Sequence, residues 1–115
     1  MKIIYRNKTA EKQFSSKYKN KWRYPEHVKD KLEAAGIYIL NAQSLLIVAS
    51  YTPFHFEHLK GKRKNEWSIR IGNTGYRVTM IPCDDDGNEI IGGDILADSE
   101  SIKTVKITEV SNHYE

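Results

Sequence analysis

The spacing of apolar residues changes period about halfway along the chain: it is helical up to residue 49 and two-residue from Trp67 onward. Ile3-Ile4-Tyr5 is a short β-rich run, after which Thr9 is a candidate helix cap and Phe14 and Tyr18 recur at helical spacing. A strand and then a short helix are expected there. Pro25 and Glu26 suit the first turn of a second helix, and Val28, Leu32, Ala35, Ile39, Ala42, Leu46 and Ala49 follow at alternating steps of four and three. This predicts one long helix over 25–49, with Gly36 as its weak point. The further apolar residues Ile37, Leu40, Leu45, Ile47 and Val48 predict that its second half is buried on more than one side.

In the second half, Trp67, Ile69 and Ile71 alternate with Ser68 and Arg70, and beyond Gly72-Asn73-Thr74-Gly75 the residues Tyr76, Val78 and Met80 alternate with Arg77, Thr79 and Ile81. That is a β-hairpin. With Asn73-Thr74 as its loop, Ile69 faces Val78 and Arg70 faces Arg77, which puts two arginines opposite each other on the face away from the core. Directly opposed like charges destabilise a sheet unless an anion lies between them. Asp84-Asp85-Asp86-Gly87-Asn88 is a second turn, Glu89-Ile90-Ile91 a candidate returning strand, 94–101 an exposed acidic loop, and 104–110 a last strand before a tail. Helices first and an antiparallel sheet afterwards indicate an α+β domain.

Composition narrows the class. A chain of 115 residues builds one core, so a single domain spans 1–115, with an acidic insertion at about 83–103. The overall charge of +3 hides an asymmetry: residues 1–78 carry 16 Lys and Arg against six acids, and residues 79–115 carry two lysines against nine acids. A basic body favours a polyanionic partner through counterion release. The lone Cys83 allows no internal disulfide, and the longest apolar run, Leu45 to Ala49, is far short of a bilayer span. Met1 to Lys8 holds no signal-peptide core, so a cytoplasmic protein without membrane partners is expected.

The densest chemical candidate is Leu59-Lys60-Gly61-Lys62-Arg63-Lys64, directly before the hairpin that carries Arg70 and Arg77. Lys60, Arg63, Arg70 and Arg77 gathered at one sheet face would offer donors to phosphate oxygens, and a bound phosphate would offset their repulsion. A second basic stretch, Lys17-Tyr18-Lys19-Asn20-Lys21-Trp22-Arg23-Tyr24, interleaves cations with aromatic rings, although rings that flank a helix start more often join the core. His113 and Tyr114 bring a proton donor or acceptor and a stacking ring beside the last strand. His55 and His58 have metal-ligand spacing, but no His or Cys cluster completes a shell, so neither a metal nor another cofactor is expected. Asp84 to Gly87 places its glycine too early for a calcium loop.

The run Phe56-Glu57-His58-Leu59-Lys60-Gly61-Lys62-Arg63-Lys64-Asn65-Glu66-Trp67-Ser68-Ile69-Arg70-Ile71, followed by Gly75-Tyr76-Arg77-Val78, resembles the signature of the RelE/ParE superfamily. Its LKG, WSIRI and YRV elements are most similar to the HigB branch of toxins from toxin-antitoxin pairs. The resemblance covers 54–81 well and the order of elements over the whole chain. It implies a small antiparallel sheet packed on two N-terminal helices. It also implies a metal-independent endoribonuclease that cuts mRNA in the ribosomal A site by in-line attack of the ribose 2′-OH. By the same likeness the cognate antitoxin is a helix-turn-helix, HigA-like protein, and operator DNA is reached only through it.

Residue by residue, Lys60 matches the LKG lysine, Arg63 the arginine just after it, Arg70 the arginine of the first hairpin strand and Arg77 that of YRV. His113 and Tyr114 correspond to the carboxy-terminal acid-base and stacking pair, although HigB-like toxins commonly end in Tyr-His and this chain has the reverse order. Lys17, Lys19, Lys21, Arg23, His58, Lys62 and Lys64 are then the expected RNA-binding residues. Two alternatives share the charge pattern: a ParE-like poison of DNA gyrase, and a noncatalytic nucleic-acid-binding module.

Overall fold

The computed structural model describes residues 1–112, so His113 and Tyr114 lie outside the described residues. In chain order the elements are β1 (Lys2–Tyr5), α1 (Lys8–Phe14), a 3₁₀ turn (Ser16–Lys21), α2 (Glu26–Asn41), α3 (Leu45–Ser50), β2 (Glu57–His58), β3 (Trp67–Arg70), β4 (Tyr76–Cys83), α4 (Ile95–Asp98) and β5 (Thr104–Asn112). The class is α+β, with one five-stranded sheet in the order β1-β5-β4-β3-β2. Alternate residues of the central strands, Ile69, Val78, Met80, Val105 and Ile107, join Phe14, Leu32, Ile39, Leu45 and Val48 from the helices in a single core.

The sheet is mixed, which corrects the expected antiparallel arrangement. β2, β3, β4 and β5 pair antiparallel, but β1 runs parallel to β5, with Ile3 beside Val105 and Tyr5 beside Ile107. A period of two fixes which side chains face the core and carries no information on strand direction. The start of α1 is also two residues earlier than the Thr9 cap expected. Asn7 is its cap, and its Oδ1 accepts from the Ala10 N–H at 2.8 Å.

The single helix expected over 25–49 is two helices. The chain leaves helical geometry at Ala42, whose N–H bonds the carbonyls of Tyr38 and Ile39, and Ser44 opens α3 in extended backbone. The interruption resets the phase, so Leu45 and Val48 point into the core where Leu46 and Ala49 were expected. Burial on several sides does not occur: Ile37 is 53% exposed, Leu40 57% and Ile47 42%, which leaves an apolar outer face on α2 and α3.

Two expectations about the acidic segment are corrected as well. Glu89 to Ile91 forms no returning strand. Beyond an Asp84 turn, in which Oδ1 accepts from the N–H groups of Asp86 and Asn88, the segment makes one isolated bridge between Cys83 and Glu89. Residues 94–101 are not a free loop: Asp94 caps α4 by accepting from the Ala97 N–H, and Ile95, Ser99 and Ile102 are buried. The Ile102 carbonyl accepts from Leu45 N–H at 2.8 Å, which ties this segment to the start of α3. Among the described residues no helix is long and apolar enough to cross a membrane.

Candidate functional site

The β3–β4 hairpin creates the central feature. Arg70 pairs with Arg77, and Ile69 with Val78, in the register expected from the alternation. The turn is held by Ile71 N–H on the Tyr76 carbonyl at 3.0 Å and by the Thr74 hydroxyl, which donates to the Ile71 carbonyl and accepts from Tyr76 N–H. Gly72 and Gly75 take positive φ values of 54° and 83°, which side chains rarely adopt, so this turn needs its glycines. Because Ile69 and Val78 face the core, the two arginines share the opposite face of the sheet.

That face is hollowed beside the arginines into a cavity of about 240 Å³, lined by Arg70, Arg77, Tyr76, Ser68, Glu57 and His55 along with the turn. Arg77 Nε is buried and has no hydrogen-bond partner among the described residues. A buried guanidinium N–H without a partner costs stability, and here the residue's cross-strand partner is a second arginine. Neither Arg70 nor Arg77 forms an ion pair among the described residues. An oxyanion in the hollow would supply the counter-charge that both arginines lack among the described residues.

Arg63 has a different surrounding. It donates through Nε and Nη2 to the two oxygens of Glu66, at 2.8 and 2.9 Å, and through Nη2 to the Thr79 hydroxyl at 3.1 Å; Glu109 lies 3.3 Å away. Glu66 is buried and also accepts from the Thr108 hydroxyl at 2.6 Å. The Arg63 hydrogen bonds hold the Glu66 carboxyl below its ordinary pKa against the opposing effect of burial, and the Thr108 hydroxyl adds to the lowering. Arg63 thus braces Glu66, just before β3, to Thr79 on β4 and Glu109 on β5, and Thr79 lies two residues along β4 from Arg77.

The remaining cations are spread out. Lys60 and Lys62 are exposed at a 3₁₀ turn over Gly61–Arg63. Lys64 and His58 border another hollow, of about 680 Å³, under the Ile90–Leu96 segment. His58 stacks on Trp67 at 4.3 Å between centroids, and its Nε2 donates to the Lys64 carbonyl. Lys19 pairs with Glu33 at 2.8 Å, and Lys17 sits over the Tyr18 ring. Lys21 and Arg23 are exposed beside a third hollow at the α1 side. Trp22 and Tyr24 belong to the body of the protein, donating to the carbonyls of Lys12 and Gln13. Burial, reinforced by the adjacent Tyr76, pushes the Tyr24 phenol up to about 12.

The hollow therefore joins Arg70 and Arg77, while Lys60 is exposed on the turn that enters β3 at the strand end away from Arg70, and Arg63 is held in its brace. Sequence reasoning missed His55, Glu57, Ser68 and Tyr76 as its other walls. The usable signals were the Thr52-Pro53 turn before His55 and the period of two that puts Ser68 on the face of Arg70. Among the described residues no three His, Cys, Asp or Glu side chains gather to hold a metal ion. Comparison with family models and with curated proteins gives no match.

Proposed function

We propose that this chain is a HigB-like toxin of the RelE/ParE superfamily, RelE-like in fold, that cuts messenger RNA in the ribosomal A site without a metal. The observation that carries the reading is the facing pair Arg70 and Arg77, both lining one hollow, with Arg77 Nε buried and unpartnered among the described residues. The motif resemblance over 54–81 and the placing of α1, α2 and α3 ahead of the antiparallel strands β2 to β5 support it.

In this reading the two guanidiniums hold the non-bridging oxygens of the scissile phosphate. The ribose 2′-oxygen attacks the phosphorus in line, the bond from phosphorus to the 5′-oxygen breaks, and a 2′,3′-cyclic phosphate remains. Fixed cations stabilise the charge that develops on the phosphoryl oxygens and keep the reacting atoms aligned, so they serve catalysis without a covalent protein nucleophile. Lys60 and Lys62, exposed on the turn at the other end of β3, anchor phosphates farther along the RNA, while Arg63 keeps β4 in place through Glu66 and Thr79. The partners are the ribosome, mRNA and a HigA-like antitoxin in the cytoplasm.

Induction of the wild type is expected to stop growth and translation, and Arg77→Ala, confirmed to be folded, to lose the effect through a drop in cleavage of about 10²–10³-fold. Equal toxicity of the two proteins would reject this site. Growth arrest with DNA breaks and intact mRNA would instead identify a gyrase poison.

A further inference from the structure

We propose that His55 is the general base of this site, the catalytic residue that takes the proton of the attacking 2′-hydroxyl. The inference rests on the endonuclease reading and adds a residue that the motif comparison does not supply.

Three observations carry it. First, His55 lines the same hollow as Arg70 and Arg77. A 2′-hydroxyl becomes an effective nucleophile only when a neighbouring group accepts its proton, and an arginine cannot do so because it stays protonated. Second, the fold makes no use of this side chain. The ring is exposed and has no hydrogen bond, ion pair or ring contact among the described residues, whereas His58 is stacked on Trp67 and bonded to Lys64. Third, His55 is the only non-glycine with positive φ among the described residues, at φ 45° and ψ 54°.

That backbone is held from both sides. Phe54 is buried against Tyr38 and Tyr51, at 5.3 and 4.8 Å between centroids, and Phe56 stacks on Trp67 at 4.8 Å. The His55 N–H donates to the Thr52 carbonyl at 3.1 Å. A non-glycine residue persists in this conformation where its surroundings over-determine it, and such positions cluster at functional sites. Here the two anchored rings fix a residue whose own ring is left for the hollow.

Four charged groups surround this position. Glu57 from β2, Arg70 from β3 and Arg77 from β4 line the hollow, and Lys31 from α2 packs against Gly72 behind Arg70. Among the described residues Glu57 is the one carboxylate lining the hollow, but its negative charge competes with the phosphate for the same arginines, and it is better suited to holding the imidazolium once formed. In the step, an imidazole nitrogen takes the 2′-OH proton while the 2′-oxygen bonds to phosphorus. The 5′-oxygen leaves and takes a proton from water, and the imidazolium then returns its proton to solvent.

The test is single-turnover cleavage of ribosome-bound mRNA as a function of pH, with ribosome affinity measured alongside. His55→Gln is expected to cut about 10²–10⁴-fold more slowly at unchanged affinity and to lose the acid limb of the wild-type rate–pH profile. His55→Gly relaxes the backbone and should unfold no earlier than the wild type while being equally slow, which separates chemistry from folding. An active wild type with an equally active His55→Gln overturns the assignment alone. The same holds if Glu57→Gln abolishes cleavage and removes the acid limb while His55→Gln spares both. A wild type that cuts no RNA overturns the endonuclease reading and this one with it.

Discussion

Arg70 and Arg77 sit where a sheet designed only for stability would place a neutral or oppositely charged pair. Arg70 is exposed, so Arg70→Thr removes repulsion, adds a good strand former and loses little packing. The variant is expected to gain about 0.2–1 kcal/mol, a rise of a few degrees in thermal midpoint by circular dichroism, while losing RNA cleavage. Glu66 shows the opposite case. Its carboxylate closes a buried set of bonds from Arg63 and Thr108, and truncation to alanine leaves those donors facing a void, for an expected loss of about 3 kcal/mol in urea unfolding. Because its folded pKa is depressed, the stability from ionised Glu66 is fully present above the ordinary carboxylate pKa and is lost as pH falls through the lowered value. The gap in midpoint between wild type and Glu66→Gln should therefore be widest near neutrality and shrink in acid. A gap that grows in acid would contradict this sign. At this scale the facing arginines were legible because a hairpin with a Gly-bounded turn fixes its own register. The Arg63–Glu66 brace was not, because charge runs in a sequence do not show which cation meets a buried carboxylate.

Among the elements, α2 carries a testable weakness. Gly36 lies in its interior with ordinary helical φ, and a Cβ there would meet Phe14 Cζ at 3.6 Å, a normal contact. Gly36→Ala should stabilise the fold by about 0.5–1 kcal/mol, read as a higher urea midpoint at unchanged slope. An unchanged or lower midpoint would mean that the Phe14 contact is tighter than it looks. The helices, the hairpin and the last strand were legible because each has a clear period. The break between α2 and α3 was not: Ala42-Gln43-Ser44 holds no proline or glycine, and the apolar spacing continues across it with the phase shifted by one residue. β2 was missed because two residues are too few to show a period, and its pairing with β3 depends on Trp67 meeting His58.

Over the whole molecule, the excess of positive charge in residues 1–78 is not one continuous patch. It divides among the arginine hollow, the Lys60–Lys64 turn and the Lys17–Arg23 segment, with Lys19 partly neutralised by Glu33. The acidic segment combines an exposed turn at Asp84 to Asp86 with buried Ile95, Ser99 and Ile102, so its removal would open the core rather than spare the fold. In the proposed function the Arg70–Arg77 hollow performs RNA cleavage on the ribosome. The most direct measurement maps mRNA 5′ ends and the accompanying 3′ termini in a purified translation reaction, with and without ribosomes, for wild type and Arg77→Ala. The account predicts new ends at A-site codons, paired with 2′,3′-cyclic phosphates, only with ribosomes and only for the wild type. Ends that persist in Arg77→Ala, or mRNA that stays intact with active wild-type protein and ribosomes, would contradict it.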